Sequence, residues 1–314
     1  MVTIDTFYED MEKYDGKITH IADDITDPQL QEIDRIYGYS SGLSRKNASK
    51  YRWTLILLSI VGGAITLVFL IYDQVSFHGL IFACGFLIFL LYIIHRVANN
   101  SSYHDKYLEY RVLAESLRVQ YYIKRAGLDE DVIHLLPWSI KKGIPWILNV
   151  LLDLPKNYYN EPESIKDVWV IDQKNYHANA LEKTKREDRN NNLFTKGVLI
   201  ITILIYVVAI LFEIAVMSNS IGDINISGVY FWLKIAMGIM SVATIVIESY
   251  YGKLSLSNKI NDHERMKELY QVTEVEMSLH GETEEIILDL AREFINENST
   301  WYAYQSMNKP GIVI

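Results

Sequence analysis

Three ionisable side chains interrupt otherwise apolar runs in the second half of the chain, namely Glu213, Lys234 and Glu248. A charge inside the hydrocarbon core of a bilayer costs about 2.5 to 3.5 kcal/mol, so it is normally paired, hydrated or functional. Counted inward from the outer ends of their runs, Glu213 and Lys234 lie within about one helical turn of the same depth. These residues can therefore offer an ion pair within the membrane or a polar lining for an ion path.

Two interpretations of these charges stay open. In the first, Lys234 extends its long side chain to the outer headgroups or pairs with Glu213, and both residues are structural. In the second, Glu213 or Lys234 lines a hydrated pore. A charge substitution at Glu213 separates the two, because only the second interpretation predicts a change in ion flux.

A second set of charged residues lies on one amphipathic segment, from Tyr103 to Lys124, where apolar or aromatic residues recur every three or four positions. If this segment is a helix, Glu115 can reach Arg111 at i−4 and Arg118 at i+3. This spacing is typical of a structural ion network on a helix surface. Downstream, two Pro-Trp pairs at 137–138 and 145–146 predict rigid turns that place indoles against a core or a bilayer surface.

The sequence contains no motif for catalysis or cofactor binding. Neither G-x-G-x-x-G nor a Walker-type glycine loop is found, and H-E-x-x-H and G-x-S-x-G are also missing. The eight histidines are scattered without metal-ligand spacing, and the single cysteine, Cys84, excludes an intramolecular disulfide or a cysteine metal site. We therefore expect no catalytic residues, no metal and no cofactor, and we expect that the protein is not an enzyme.

Composition narrows the class of partner. The formal net charge is −9, which argues against a duplex nucleic acid partner because such proteins carry a basic face for the phosphates. The first fifty residues are polar and contain no apolar h-region, so we expect no cleavable signal peptide. Insertion into a membrane then depends on internal apolar segments.

Four such segments are present: Trp53 to Tyr72, Leu80 to Val97, Gly197 to Met217 and Val229 to Tyr250. About twenty apolar residues at a rise of 1.5 Å cover a hydrocarbon core of about 30 Å. Short polar segments, 73–79 and 218–228, join the first two runs and the last two. The pattern predicts an all-α integral membrane protein with two transmembrane helical hairpins and long cytoplasmic helices.

The orientation of the hairpins follows from Lys and Arg near the ends of the runs. The two outer turns contain neither residue, whereas Arg45 and Arg52 precede the first run, Lys183 to Lys196 precede the third, and Lys253 follows the fourth. Basic residues accumulate on the cytoplasmic side of a membrane. Both termini are therefore expected to be cytoplasmic.

These observations predict five regions along the chain: N-terminal cytoplasmic helices (1–52), a first transmembrane hairpin (53–97), a cytoplasmic helical region (98–196), a second transmembrane hairpin (197–250) and C-terminal cytoplasmic helices (251–314). Helices are expected over Asp5 to Lys17, from Pro28 towards the first span, and over Leu254 to Asn298 with an interruption at Gly281. Small residues in the spans, Gly63 and Gly238 among them, permit close helix approach and favour oligomerisation.

The segment Asp105 to Gln120, DKYLEYRVLAESLRVQ, resembles the cytoplasmic motif of the SLATT family, the bacterial SMODS- and SLOG-associated transmembrane effectors. Later stretches are similar to the family in the expected order: Ile144 to Ile147, Val168 to Gln173 with Tyr176, and Ala291 to Trp301. The resemblance covers roughly residues 100 to 305, and E-Y-R-x-L-A-E is its most specific part. The chain departs from the family's two-span pattern because it has four predicted spans.

The resemblance implies a function as well as a fold. Family members are membrane effectors of nucleotide-signal-linked antiphage systems, which form pores or disrupt the inner membrane. The implied protein is an oligomeric gated pore in a bacterial inner membrane. Its partners would be the lipid bilayer, further copies of itself, and a nucleotidyltransferase or its nucleotide product. The motif and gating residues carried over by the resemblance are Tyr107, Tyr110, Arg111, Glu115, Arg118, Trp146, Trp169 and Trp301.

Two other functions remain as alternatives. The runner-up is a membrane scaffold or sensor without a channel, whose helices recruit a cytosolic partner. A transporter would be expected to show discontinuous helices, with Gly or Pro at corresponding midplane positions of both hairpins. No predicted span contains a proline, which weighs against a transporter.

Overall fold

The computed structural model describes residues 2–22, 25–74, 79–155, 163–218, 225–254 and 256–307, without the side chains of residues 74 and 248–254. Within these ranges the chain forms α-helices and one π-helical segment, and no strand. The all-α fold class predicted from the sequence is therefore confirmed.

The helices in chain order are α1 (Ile4–Glu12), α2 (Pro28–Gln74), α3 (Leu80–Ser101), α4 (Tyr103–Arg125), α5 (Val132–Leu135), α6 (Trp138–Gly143), α7 (Pro145–Leu152), a π-helix (Lys166–Ile171), α8 (Asp172–Met217), α9 (Ile226–Leu254), α10 (Leu256–His280) and α11 (Glu284–Met307). Helices α2 and α8, of 47 and 46 residues, each join a polar segment to an apolar one without a break. No proline lies inside either helix to interrupt it.

Local sequence explains where several helices begin and end. Asp27 caps α2, because its carboxylate accepts hydrogen bonds from the backbone N–H groups of Gln29 (2.8 Å) and Leu30 (2.9 Å). Pro28 then occupies the first helical position, where its missing N–H costs nothing. Helix α10 ends at His280, and the next residue, Gly281, has a φ of +79°, the left-handed conformation that glycine adopts without strain.

The chain folds as two compact units. The helical unit comprises residues 1–52, 99–180 and 263–314, and the apolar unit comprises residues 53–98 and 181–262. In the helical unit, α4 is the central element and packs along α11 as well as against α5 and α7. Its side chains Tyr110, Leu113 and Leu117 are fully buried in the core of that unit.

The apolar unit holds the apolar parts of four long helices. Four helical stretches, 28–73, 80–125, 166–217 and 226–247, are long and apolar enough to cross a membrane. Large apolar side chains on them are exposed, including Phe82 (81%), Leu211 (60%) and Ile245 (67%). A contiguous exposed apolar surface is typical of a face that contacts lipid. The chain therefore has the properties of a membrane protein with four membrane-capable helices.

Within the apolar unit, glycine permits a close approach between α2 and α9. A Cβ atom added at Gly63 would lie 3.2 Å from Val246, and one added at Gly238 would lie only 2.7 Å from Leu70. Small residues let helices in lipid pack closely, which matters because the hydrophobic effect does not drive them together. Gly63 and Gly238, which were expected to permit close helix approach and favour oligomerisation, thus lie at a contact between two helices of the same chain.

Candidate functional site

Arg118 joins three helices of the helical unit. Its guanidinium lies 3.0 Å from the carboxylate of Glu115 on the same helix, and both side chains are more than four-fifths buried. The guanidinium also donates hydrogen bonds to the hydroxyl of Tyr37 on α2 (2.8 Å) and to the amide oxygen of Gln173 on α8 (3.3 Å). Burial alone would lower the pKa of Arg118, but Glu115 and Tyr37 outweigh it, so the pKa is raised. Arg118 is therefore a permanently charged link between α2, α4 and α8.

An aromatic layer lies beside this charged link. Trp169 is fully buried and stacks on Tyr122, with ring centroids 4.9 Å apart and planes 7° from parallel. The Tyr122 hydroxyl donates a hydrogen bond to the carbonyl of Val168 (2.9 Å). Tyr270 on α10 is also fully buried, and burial raises its pKa. The layer ties the π-helix to α4 and encloses the charges in an environment with little water.

Arg111 connects α4 to α11 through an aromatic ring. Its guanidinium carbon lies 4.0 Å from the ring centroid of Trp301, which is a cation–π contact. The Tyr107 ring meets the same indole edge-on, with centroids 5.7 Å apart. Burial would lower the pKa of Arg111, but Tyr107 and Glu115 outweigh it and raise the pKa. The residues that the family resemblance placed in one motif, Tyr107 and Arg111, thus hold the C-terminal helix.

The remaining motif residues of α4 contact α7 and α1. The indole N–H of Trp146 donates a 2.6 Å hydrogen bond to the carboxylate of Glu109, and both residues are buried. The hydroxyl of Tyr110 donates a 2.7 Å hydrogen bond to Asp10, which also accepts one of 2.6 Å from Lys106. Burial raises the pKa of Tyr110, and its bond to Asp10 adds to this effect. The structure thus places the second Pro-Trp indole in the core.

The charged residues of the spans are arranged differently from this buried network. Glu213 is exposed on α8 and accepts a 2.5 Å hydrogen bond from the hydroxyl of Tyr230 on α9. Lys234 is exposed on α9, and it forms no salt bridge with any carboxylate that the structure describes. Glu213 and Lys234 are therefore not brought together as an ion pair. The side chain of Glu248 lies outside the described residues.

The arrangement on α4 fixes helices and offers little for bond-breaking chemistry. Its charged groups are engaged with one another or with aromatic rings, and an engaged Arg–Glu pair is a poor general acid or base at neutral pH. Among the described residues, no three His, Cys, Asp or Glu side chains are grouped to hold a metal ion. A buried polar network of this type specifies one relative position of the helices that it joins.

Comparison with known proteins gives one partial match. Residues 37–123 match the family model of DUF4231, a protein of unknown function. No curated protein matches the chain, and no solved structure does. The DUF4231 segment covers 87 of the 314 residues, from position 37 to position 123, and it is compatible with the SLATT resemblance, which begins in α4.

The DUF4231 segment runs from Tyr37 through α3 and most of α4. It therefore contains the α4 residues of the contacts described above, including Glu109, Arg111 and Arg118, and also Tyr37 of α2. The partners Trp146, Gln173 and Trp301 lie outside it. Glu213 and Lys234 of the spans also lie outside the DUF4231 segment.

One pair of residues in the helical unit escaped the sequence analysis. The Nδ1 atoms of His177 on α8 and His263 on α10 lie 3.1 Å apart, although 86 positions separate them in the chain. Burial, and to a smaller extent His263, Arg118 and Arg111, lower the pKa of His177 to about 3. His177 is thus neutral at physiological pH, and no spacing in the sequence signals the pair.

Proposed function

We propose that this protein is an oligomeric, gated, pore-forming effector of a bacterial antiphage system linked to a nucleotide signal. When triggered, it depolarises or permeabilises the inner membrane. In this proposal the four apolar helices cross that membrane as two hairpins, 53–97 and 197–250, with both termini in the cytoplasm. The SLATT resemblance of residues 100 to 305 supplies the biological setting, and the apolar unit supplies the physical argument.

The observation that carries the proposal is the exposure of two charged side chains, Glu213 and Lys234, on otherwise apolar helices. Facing acyl chains, each charge would cost about 2.5 to 3.5 kcal/mol. Assembly of several copies around a shared polar path removes that cost, because the charges then face water or one another. The exposed surface of a single chain thus supports an oligomer with a hydrated interior.

In this proposal the helical unit supplies the element for gating. Helix α4 follows α3 after a single residue, Ser102, and its charged side chains hold α2, α8 and α11 in one arrangement. A signal that binds a second arrangement more tightly shifts the equilibrium towards it. In this proposal a nucleotide or a nucleotidyltransferase provides that signal to the helical unit.

The alternative function, a scaffold that recruits a cytosolic partner, also has an observation in its favour. Helix α10 exposes three apolar side chains, Val272 (61%), Val275 (52%) and Leu279 (70%). Their spacing of three and four residues places them on one helical face. An amphipathic helix or a groove on another protein would fit such a stripe.

Membrane potential and potassium efflux during phage challenge test the proposal. Cells would express wild type, Glu213→Gln, Arg111→Ala or, as a control, Glu285→Gln at an exposed site on α11, all at matched abundance in the membrane. We expect depolarisation after infection in wild type and the control. Glu213→Gln should change the size or selectivity of the flux, and Arg111→Ala should change when it begins.

Two outcomes decide between the functions. Depolarisation that follows the trigger and changes with Glu213→Gln supports the gated pore. An unchanged potential, while the wild type still protects cells from phage, overturns the pore. In that case a triple substitution of Val272, Val275 and Leu279 by Ser should abolish protection, since the scaffold depends on that stripe.

A further inference from the structure

In the apolar parts of α8 and α9, most polar side chains follow one face of each helix. On α8 these residues are Thr202, Tyr206 and Glu213, and on α9 they are Tyr230, Lys234, Ser241 and Thr244. On α8, Tyr206 and Glu213 lie 4 and 11 positions after Thr202. On α9, Lys234, Ser241 and Thr244 lie 4, 11 and 14 positions after Tyr230. At 3.6 residues per turn all these separations are close to whole numbers of turns. Each helix therefore carries a polar stripe in its apolar part.

Two hydrogen bonds show that the stripes face each other within the apolar unit. The hydroxyls of Tyr206 and Ser241 lie 3.3 Å apart, and the hydroxyl of Tyr230 donates to Glu213 at 2.5 Å. The two levels are seven residues apart on α8, or about 10 Å. We call the set Thr202, Tyr206, Glu213, Tyr230, Ser241 and Thr244 the polar seam.

The polar seam extends through most of a bilayer. From Tyr230 to Thr244 it covers fourteen residues, or about 21 Å of a hydrocarbon core of about 30 Å. Thr202 and Thr244 donate their hydroxyl protons to carbonyls of their own helices, at 2.8 and 2.9 Å. Their oxygens keep lone pairs that can accept from water or bind a cation.

A single chain leaves the seam only partly covered. Tyr206 is 42% exposed and Glu213 is exposed, whereas Thr202, Ser241 and Thr244 are half-buried. Facing lipid, a carboxylate held by one phenol would remain costly. When seams from several copies face a shared axis, the same oxygens face water.

We propose that the polar seam lines the permeation path and that the path conducts small monovalent cations; this inference rests on the proposed pore function. The seam offers hydroxyl and carboxylate oxygens, which are the ligands that hard cations take in place of water. The carboxylate of Glu213 attracts cations at the outer end. Lys234, one turn after Tyr230 on the same face of α9, opposes their entry at that end.

Cysteine accessibility tests whether the seam contacts water. In a Cys84→Ser background, Ser241→Cys places a thiol in the seam. Ile239→Cys places one two residues away on the opposite face of α9, where the side chain is 43% exposed in the single chain. A charged, membrane-impermeant methanethiosulfonate reacts with thiolates, which form in water rather than in lipid. We expect Ser241→Cys to react at least about tenfold faster than Ile239→Cys in infected cells.

Ion flux in the same cells separates the two proposals. Modification of Ser241→Cys should reduce the flux, Glu213→Gln should weaken the preference for cations, and Lys234→Gln should increase cation flux. Trigger-dependent flux in wild type with equally slow labelling at both cysteines overturns the seam and leaves the proposed function standing. Anion-selective flux with fast labelling at Ser241→Cys overturns the cation assignment. The absence of flux in wild type overturns the pore and the seam together.

Discussion

The indole N–H of Trp146 donates a 2.6 Å hydrogen bond to the carboxylate of Glu109, and both side chains are buried in the helical unit. The bond ties α7 to the central helix α4 at a point where 37 residues separate the partners. A hydrogen bond to a buried charge contributes more than a neutral one, and losing one partner leaves the other unsatisfied. This contact gives the first of five predictions.

Replacement of Trp146 by Phe removes the indole N–H donor and leaves the buried Glu109 carboxylate without that hydrogen bond. We expect the free energy of unfolding of the helical unit to fall by about 2 to 3 kcal/mol. Trp138→Phe is the matched control, because Trp138 is 56% exposed and also follows a proline. Denaturant unfolding of the purified protein in detergent, followed by circular dichroism, measures both. Equal destabilisation by the two substitutions would contradict the prediction.

Arg118→Met leaves Glu115 charged and buried without its partner. Breaking a buried ion pair in this way costs about 3 to 5 kcal/mol. The chain contains a matched exposed pair with the same i,i+3 spacing, Arg292 and Asp289, at 2.7 Å. Arg292→Met should change stability by less than about 1 kcal/mol. The same unfolding experiment compares the two variants. Similar losses of unfolding free energy would contradict the prediction that the buried Arg118–Glu115 pair contributes more than the exposed pair.

Trp301→Ala removes the ring on which Arg111 rests and should loosen the last turns of α11. A partly buried cation–π contact contributes about 1 to 2 kcal/mol. Hydrogen exchange measured by mass spectrometry should speed up over residues 299–307, while α4 stays protected. Arg111→Lys should have part of the same effect, because lysine lacks the planar guanidinium that stacks on the indole. Met307→Ala, at an 84% exposed side chain on the same helix, should leave exchange unchanged.

The His177–His263 contact makes stability depend on pH. Burial holds the pKa of His177 at about 3, below the value near 6.5 of an unfolded histidine. At a pH between these two pKa values, His177 is protonated in the unfolded chain and neutral in the folded chain. Stability is therefore full above about pH 6.5 and falls by up to about 1.4 kcal/mol per unit as the pH drops towards 3.

His177→Gln should flatten this dependence between about pH 6 and pH 4, since glutamine does not titrate there. His280→Gln is the control, because the His280 side chain is 63% exposed at the end of α10. Thermal unfolding of both variants across that pH range provides the measurement. A wild-type pH profile retained in full by His177→Gln would contradict the assignment.

Gly281→Ala should destabilise the junction between α10 and α11. The φ of +79° at this position forces any other L-residue into the left-handed region, which costs about 1 kcal/mol. Gly143→Ala should be neutral or stabilising, because its added Cβ meets no atom within 4 Å and alanine favours the helix. Melting temperatures of the two variants should therefore shift in different directions relative to wild type.

The limits of the helices show where sequence reasoning succeeds. Asp27 and Pro28 predicted the start of α2 because capping depends only on residues within one turn. The end of α1 is different. A helix was expected over Asp5 to Lys17, yet α1 ends at Glu12. The ring of Tyr14 lies against both Gly16 and Gly42, so a contact with α2 competes with further helical turns.

The sequence predicted which residues of α4 belong to the candidate site better than it predicted the partners that they contact. The sequence predicted that Glu115 could reach Arg111 and Arg118, and the structure has the i,i+3 ion pair with Arg118, whereas Arg111 rests on Trp301. The same reasoning could not supply Tyr37, Gln173 or Trp301. Gln173 lies 55 positions from Arg118, and Trp301 lies 190 positions from Arg111. No local periodicity links residues that are so far apart in the chain.

The sequence by itself determined that the chain has four helices able to span a membrane, since runs of about twenty predominantly apolar residues suffice for this. It also predicted that Glu213 and Lys234 lie at a similar depth, because helical rise converts position into distance. Only the tertiary structure decided that Glu213 takes its hydrogen bond from Tyr230 and that His177 meets His263. The rotation of each helix about its axis sets such partners, and the packing of segments far apart in the chain fixes that rotation.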